Sequence, residues 1–237
     1  DVMLNYSFYV SISVFSYYKR SIMPKKECPP PDVPEDVKKY WAQRHRLFIK
    51  YDEGIMLDQE SWYSVTPEMI AAHQAYRCSC DVVVDAFCGA GGNAIQLAKT
   101  CNHVIAIDID PAKIDLARHN AQVYGVADRI EFIIGDFFHL VPKLKADVVY
   151  LSPPWGGIKY LRAGIYDVKS LGGVLSCEEL MTAARAITTN VALYLPRTSN
   201  LYQVCFLIFK FIFLLQYYEL KNDNNTAWLG RGRAWGT

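Results

Sequence analysis

The sequence has no CxxC pair and no Cys/His set at metal-ligand spacing, although seven cysteines are spread over its 237 residues. An odd number of unpatterned thiols argues against a disulfide framework and against a metal site, and suits a reducing compartment. Neither sign of charge is in excess: 25 Lys and Arg face 24 Asp and Glu, for a net charge of +1. Bulk adhesion to a polyanion is thereby excluded, so any nucleic-acid contact must be local. G-x-G-x-x-G and G-K-[ST] are both missing, which weakens the dinucleotide and P-loop readings. Residues 203–218 are apolar but fall short of the roughly 20 residues a membrane span needs, with Lys210 at the centre. The apolar stretch Val2 to Tyr18 lacks a basic flank and is broken by Asn5, Ser7, Ser11, Ser13 and Ser16, which speaks against a signal peptide. Hydrophobic content itself is ample, at 51% against 21% charged, so a large core is expected and disorder along the whole length is excluded.

Residues 1–36 read as an irregular segment, because Pro24, the triplet Pro29-Pro30-Pro31 and Pro34 deny the backbone both helix and ladder. Residues 37–77 read as a helical extension that covers substrate and cofactor. In it Lys38, Lys39, Arg44, His45, Arg46 and Lys50 alternate with Tyr40, Trp41 and Phe48, a pattern that by itself suits a solvated amphipathic helix. Thr66-Pro67-Glu68 then opens a helix running to about Tyr76. From Asp81 the rhythm changes: strands are expected at 82–87, 103–108, 130–134, 147–151 and 190–195, with helices at 93–100 and 111–124 between them. The expected fold is α/β, a doubly wound and mostly parallel sheet over residues 78–221 with a small N-terminal helical extension, binding ligands at the carboxyl ends of its strands. The run 203–218 reads as a buried strand or hairpin, and 222–237 as a flexible tail.

Val82 to Asn93 (VVVDAFCGAGGN) is a strand, an acid and a glycine-rich turn into a helix. Gly89, Gly91 and Gly92 let a ligand approach the backbone. Asp85 inside this loop repels phosphate but suits a cationic amine. Asp108 closes the next strand where an acid bonds a ribose diol, while Asp110 before Pro111 fits a helix N-cap better. Asp136-Phe137 closes the third strand, where a carboxylate can accept from an adenine amine and a ring can pack on its face. A ligand with a ribose, an amine and no phosphate is S-adenosylmethionine. After the fourth strand comes Ser152-Pro153-Pro154-Trp155-Gly156-Gly157. Two prolines remove N–H donors and leave carbonyls free to accept from an exocyclic amine, with Ser152 beside them, and Trp155 can stack on a flat, cationic base.

KYWAQRHRLF (39–48 with Lys39 first), SWYSVTPE (61–68), VVVDAFCGAGGN, VIAIDIDP (104–111), GDFF (135–138), LSPPWGG (151–157) and YLPR (194–197) together resemble the catalytic domain of the trimethylguanosine synthase family. The resemblance covers about residues 37 to 204, and from Cys205 onward the family pattern is lost. It implies a class I, Rossmann-like methyltransferase that converts the 7-methylguanosine cap of small nuclear and nucleolar RNAs to the 2,2,7-trimethyl form. By position, Thr66, Asp85, Phe87, Gly89, Asp108, Asp136 and Phe137 line the S-adenosylmethionine pocket. Ser152, Pro153 and Trp155 hold the guanine as catalytic residues, and Lys39, Asn120, Tyr160 and Arg197 meet the triphosphate or the next nucleotide. The family also implies capped RNA as partner rather than DNA or a membrane, and a nuclear location, in nucleoli or nuclear bodies, with the cytoplasm as a second compartment. The residues alone leave open an N2-guanine or N6-adenine methyltransferase on internal RNA sites, or a catalytically dead cap-binding module.

Overall fold

Stretches rich in valine, isoleucine and leucine supply the strands of a computed structural model that describes residues 8–12 (as backbone), 33–35, 37–157 and 164–210. In chain order they are β1 (Phe8–Ile12), β2 (Val82–Asp85), β3 (His103–Asp108), β4 (Ile130–Ile134) and β5 (Val148–Leu151). A two-stranded hairpin follows, β6 (Ser170–Leu171) and β7 (Leu175–Ser176), and then β8 (Val191–Leu195). The main sheet has the order β1-β8-β5-β2-β3-β4 with every pair parallel. Central strands of such a sheet are covered on both faces, which is why β8 is buried at all five positions and reads as an unbroken apolar run.

The helices are α1 (Lys38–Trp41), α2 (Arg44–Leu47), α3 (Ser61–Ser64), α4 (Glu68–Arg77), α5 (Gly92–Leu97), α6 (Pro111–Tyr124), α7 (Phe137–Leu140) and α8 (Cys177–Ile187). α5 packs on α6 and against β2 and β3, α6 against β3 and β4, and α8 against β8. α6 starts where Asp110 accepts the Ala112 N–H at 2.9 Å and stops at Gly125 in the left-handed region. The extension is not a separate layer: Val37, Trp41, Leu47, Phe48, Ile55 and Trp62 share one apolar core with Ile95, Val104, Ile114 and Tyr150.

Polar clamps hold that extension down. The buried Glu68 carboxylate accepts the Ile49 N–H at 2.6 Å, the Tyr124 hydroxyl at 2.5 Å and the Gln96 side-chain amide at 3.2 Å. It thereby joins the loop after α2, the end of α6 and helix α5. Lys113, buried on α6, bonds both oxygens of Asp58 at 3.0 and 2.7 Å and the Ser61 hydroxyl at 3.2 Å. Burial pushes the Asp58 carboxyl up, but hydrogen bonds from Lys113 and from the Ser61 side chain and N–H, with the Lys113 charge, hold it below its usual range.

Several expectations need correction. The basic stretch is not one helix but two short ones, and much of its charge is already matched: Lys38 with Glu35, Arg44 with Asp52 and Lys50 with Glu53. Within 1–36, residues Phe8–Ile12 are not irregular but form an edge strand paired with β8. A parallel edge strand needs no turn near its partner in sequence, so nothing local announces it. Residues 201–210 are helical rather than part of a hairpin. Asn200 caps them, its side-chain oxygen accepting from the Tyr202 and Gln203 N–H groups at 3.1 and 3.3 Å. Val204 and Leu207 are buried on one stripe while Tyr202, Phe206 and Phe209 are exposed. The described residues fall into two units that divide between Ser199 and Asn200, and the tail expected at 222–237 lies outside the described residues. Among the described residues no helix is long and apolar enough to cross a membrane, and no group of three or more His, Cys, Asp or Glu is placed to hold a metal ion.

Removing the Glu68 carboxylate leaves several buried donors without an acceptor. Glu68→Ala should cost about 2–4 kcal/mol and Glu68→Gln, which keeps one acceptor oxygen, about 1–2 kcal/mol. Urea unfolding midpoints measure both, and an alanine variant as stable as wild type would show that the clamp carries no weight.

Candidate active site

Strand order reverses at β2, whose neighbours β3 and β5 lead the chain in opposite directions across the sheet. The crevice outside the carboxyl ends of β2 and β5 is where sheets of this kind take ligands. β2 ends on Asp85, in register with Tyr150, and β5 runs directly into Ser152. Asp108 ends β3, Asp136 follows β4 by two residues, and Arg197 follows β8 by two residues. Five of the expected residues thus meet along one edge of the sheet because each sits where its strand stops.

Asp85 is fully buried, and neither of its oxygens closes a hydrogen bond. Its pKa is raised to about 7: burial is the main cause, the charge of Asp108 adds to it, and the Phe87 and Ala94 N–H groups oppose the rise without closing a bond. The Thr66 hydroxyl is also buried without a partner. Thr66 belongs to a segment pressed onto the glycine-rich turn, since a β-carbon on Gly92 would lie 2.6 Å from a Val65 methyl. At Gly89 the turn is open, with no atom within 4 Å of where a β-carbon would be. A buried carboxylate is expensive unless a cation meets it, so an orphaned carboxylate beside an open turn fits the ammonium group of the S-adenosylmethionine expected from the sequence.

Asp108 accepts the Gly89 N–H at 2.9 Å and the Asp110 N–H at 3.0 Å, so it also shapes the turn. Burial raises its pKa, and these two N–H groups oppose the rise. Asp136 caps α7 by accepting the Phe138 N–H at 2.9 Å, and its side chain stays about a third exposed. Phe137 is buried against Phe87 and Phe138, with ring centroids at 6.1 and 5.9 Å, so the half-buried Phe87 is the ring with surface to offer a ligand.

Beyond β5, Ser152 is half-buried, Pro153 buried and Pro154 exposed. Trp155 is half-buried and leans on Tyr194 of β8, with centroids 5.0 Å apart and planes at 58°. Part of its surface is therefore core packing. On its other flank the turn meets the extension: a β-carbon on Gly157 would lie 4.0 Å from Tyr63, whose ring is 6.3 Å from Tyr40. The Lys39 ammonium lies 4.7 Å over the Tyr40 ring, and its side chain is exposed. Arg197 is exposed as well. Tyr160 lies outside the described residues.

Asn120 must be moved out of the substrate set. It is fully buried, its side-chain oxygen accepts the Met56 N–H at 2.8 Å, and its amide donates to the Met56 and Ala90 carbonyls at 2.9 Å each. All of its polar capacity toward the site is spent on fixing the glycine-rich turn to the extension. The sequence reading also missed Gln74, Asn93 and Tyr150, a buried triad behind the turn. Asn93 donates to the other two at 3.0 and 2.9 Å, and the Tyr150 hydroxyl donates to Gln74 at 2.8 Å. No short-range signal links three residues so far apart in the chain.

Comparison with known proteins places these residues in context. The model of the RNA cap guanine-N2 methyltransferase family matches residues 80–225. The trimethylguanosine synthase of Schizosaccharomyces pombe is 42% identical over 183 residues, covering 73% of this chain and 75% of that protein. That of Saccharomyces cerevisiae is 38% identical over 177 residues, covering 70% of this chain and 56% of that protein. Among solved structures, a Porphyromonas gingivalis W83 protein assigned to the methyltransferases superposes with a TM-score of 0.51 at 19% identity, over 69% of this chain and 42% of that one, which bears on the fold alone.

The orphaned carboxylate has a cost that pH reveals. The folded-state pKa of Asp85 is raised from 3.8 to about 7, so the folded protein holds this proton more tightly than the unfolded chain and loses stability as pH rises between those values. Asp85→Asn should therefore leave the ligand-free protein unchanged below about pH 4 and stabilise it above pH 7 by on the order of 2–4 kcal/mol, while abolishing tight cofactor binding. Unfolding curves across pH test the first part and calorimetric titration the second. A variant no more stable than wild type at pH 8 would refute the buried-charge account.

Proposed function

The chain belongs to the RNA cap guanine-N2 methyltransferase family, and we propose that its crevice binds S-adenosylmethionine at the β2 side and a 7-methylguanosine cap at the β5 side. The reaction of the family is methyl transfer to the exocyclic N2 of the cap guanine. The observation that carries the residue-level reading is that β2 and β5 are adjacent and in register, which sets an orphaned carboxylate beside a Ser-Pro-Pro-Trp turn. S-adenosylmethionine, when bound, supplies a sulfonium-activated methyl group.

The remaining work falls to the chain's own side chains. Asp85 meets the ammonium group, Thr66 and Asp108 offer hydroxyl and carboxylate partners, and Phe87, backed by Phe137 and Asp136, borders the adenine. Ser152 and the Pro153 carbonyl orient the N2 hydrogens so that the nitrogen faces the methyl in line. The guanine amine is a weak nucleophile, but alignment replaces a strong base, and its proton leaves to water after transfer. Trp155 stacks on the base, while Lys39 and Arg197 carry charge suited to the triphosphate. The natural substrates on this reading are small nuclear and nucleolar RNAs, met in the nucleus. Relatives named trimethylguanosine synthase support a guanosine cap as the group that is methylated.

Trp155 decides the order of methylation. N7 methylation puts a positive charge on the guanine, and an indole face attracts a desolvated cation by about 2 kcal/mol, or roughly 30-fold. Wild type should prefer 7-methylated over unmethylated cap analogue by about that factor in kcat/KM. Trp155→Phe should shrink the ratio and Trp155→Ala remove it, with cofactor affinity kept. Incubation with labelled S-adenosylmethionine and the two analogues measures it. A wild-type ratio near one would instead favour a guanine inside RNA as the substrate.

Triphosphate contact makes a separate claim. Lys39→Ala and Arg197→Ala should raise KM for a cap dinucleotide by about tenfold while changing KM for 7-methylguanosine nucleoside little. Equal losses on both substrates would assign these residues a structural role.

A further inference from the structure

We propose that Gly172, held by Tyr166, is a positioning residue for cap methylation: it fixes the Pro154–Gly156 turn that carries Trp155 and so sets how the guanine is stacked. The proposal rests on the reading of that turn as the guanine site. The hairpin of β6 and β7 and the turn after β5 interlock through two glycines. A β-carbon on Gly172 would lie 2.9 Å from the Pro154 carbonyl oxygen and 3.0 Å from the Gly156 nitrogen. One on Gly156 would lie 3.2 Å from the Gly172 α-carbon. These neighbours are backbone atoms on either side of Trp155, so no change of rotamer relieves the collision and the turn itself must move.

Tyr166 secures the arrangement from behind. Its phenol oxygen accepts the Gly172 N–H at 2.9 Å, and Tyr166 is only 6% exposed. The Tyr166 backbone N–H donates to the Thr198 carbonyl at 2.8 Å, and the residue bridges to Ser199. This buried tyrosine thus ties the hairpin, whose Gly172 packs on the turn bearing Trp155, to the turn bearing Arg197. This link adds to the ring contact of Trp155 with Tyr194 in spacing the base-holding and phosphate-holding parts of the site.

Gly173 provides the internal control. Its φ of +78° resembles the +61° of Gly172, so a side chain at either position meets similar backbone strain, yet nothing lies within 4 Å of a β-carbon on Gly173. Only Gly172 adds the collision with the turn.

The test compares kcat/KM for 7-methylated and unmethylated cap analogue, together with calorimetric S-adenosylmethionine affinity, in the full chain carrying Gly172→Ala, Gly173→Ala or Tyr166→Phe. Gly172→Ala should lower kcat/KM for the methylated cap by at least about tenfold and cut the N7 preference from about 30-fold to a few-fold, with cofactor affinity within about twofold of wild type. Gly173→Ala should keep the wild-type preference. Tyr166→Phe, which removes only the phenol acceptor, should reduce the preference about threefold, and it decides the question if Gly172→Ala does not fold. General destabilisation lowers both substrates alike and leaves the ratio unmoved. Equal losses in the two glycine variants, or a preference unchanged in both Gly172→Ala and Tyr166→Phe, would overturn the proposal. Absence of cap methylation by wild type would overturn the cap reading itself, an outcome read before any variant is made.

Discussion

The carboxylate of Glu68 is the point at which the extension, the glycine-rich helix and the end of α6 are made one body. Its donors are a backbone N–H, a tyrosine hydroxyl and a side-chain amide from three different segments, all within 3.2 Å. A buried anion with three donors is stable where the same anion with none is not, so the clamp is favourable only when all the segments are in place. That condition makes the cofactor side depend on the extension. Val65 and Thr66 stand just before Glu68 and lie over the turn at Gly92.

Set against Glu68, Asp85 shows the opposite choice. Both are buried carboxylates on the same side of the molecule's chemistry, yet one is saturated with donors and the other has no closed hydrogen bond at all. The fold supplies enough donors to satisfy a carboxylate where architecture is at stake and withholds them where a ligand must supply the missing charge. The other half of the site has the complementary character, with Arg197 beyond β8 and Lys39 on α1 both exposed and aromatic rings beside them. On the proposed reading, the acid-lined half suits a methyl donor carrying an ammonium and the cation-rimmed half a substrate carrying phosphates. Strand order sets the acids at the ends of β2 and β3 on one side and Arg197 beyond β8 on the other, and the extension adds Lys39.

Five of the six strands of the main sheet were legible as runs rich in valine, isoleucine and leucine, and the same runs put Asp85 and Asp108 at strand ends. β1 was not, since its partner β8 lies far along the chain and parallel pairing leaves no turn to read. The run after Asn200 misled for a different reason: a continuous apolar stretch has no period, so strand and helix cannot be told apart. Asn120 was misread although the signal was present. It falls on the buried stripe of α6 with Lys113, Ile114, Ala117 and Ala121, a spacing of three and four that marks the inward face. Position relative to a family motif outweighed periodicity, and periodicity was right.

What remains is why so much of the site is made of small residues and rings rather than charge. On the proposed reading, discrimination between a cationic and a neutral guanine rests on the face of Trp155, and that face is useful only if its angle is fixed. Tyr194 fixes one side of the indole through ring contact at 5.0 Å, while the backbone on both sides of Trp155 is fixed by the glycine contact with the hairpin. Neither device carries a formal charge that a triphosphate could disturb. A salt bridge at the same place would compete with the substrate's own phosphates for its cation, whereas packing of a ring and two glycines is indifferent to them. The base turn can therefore stay rigid while charge is exchanged around it.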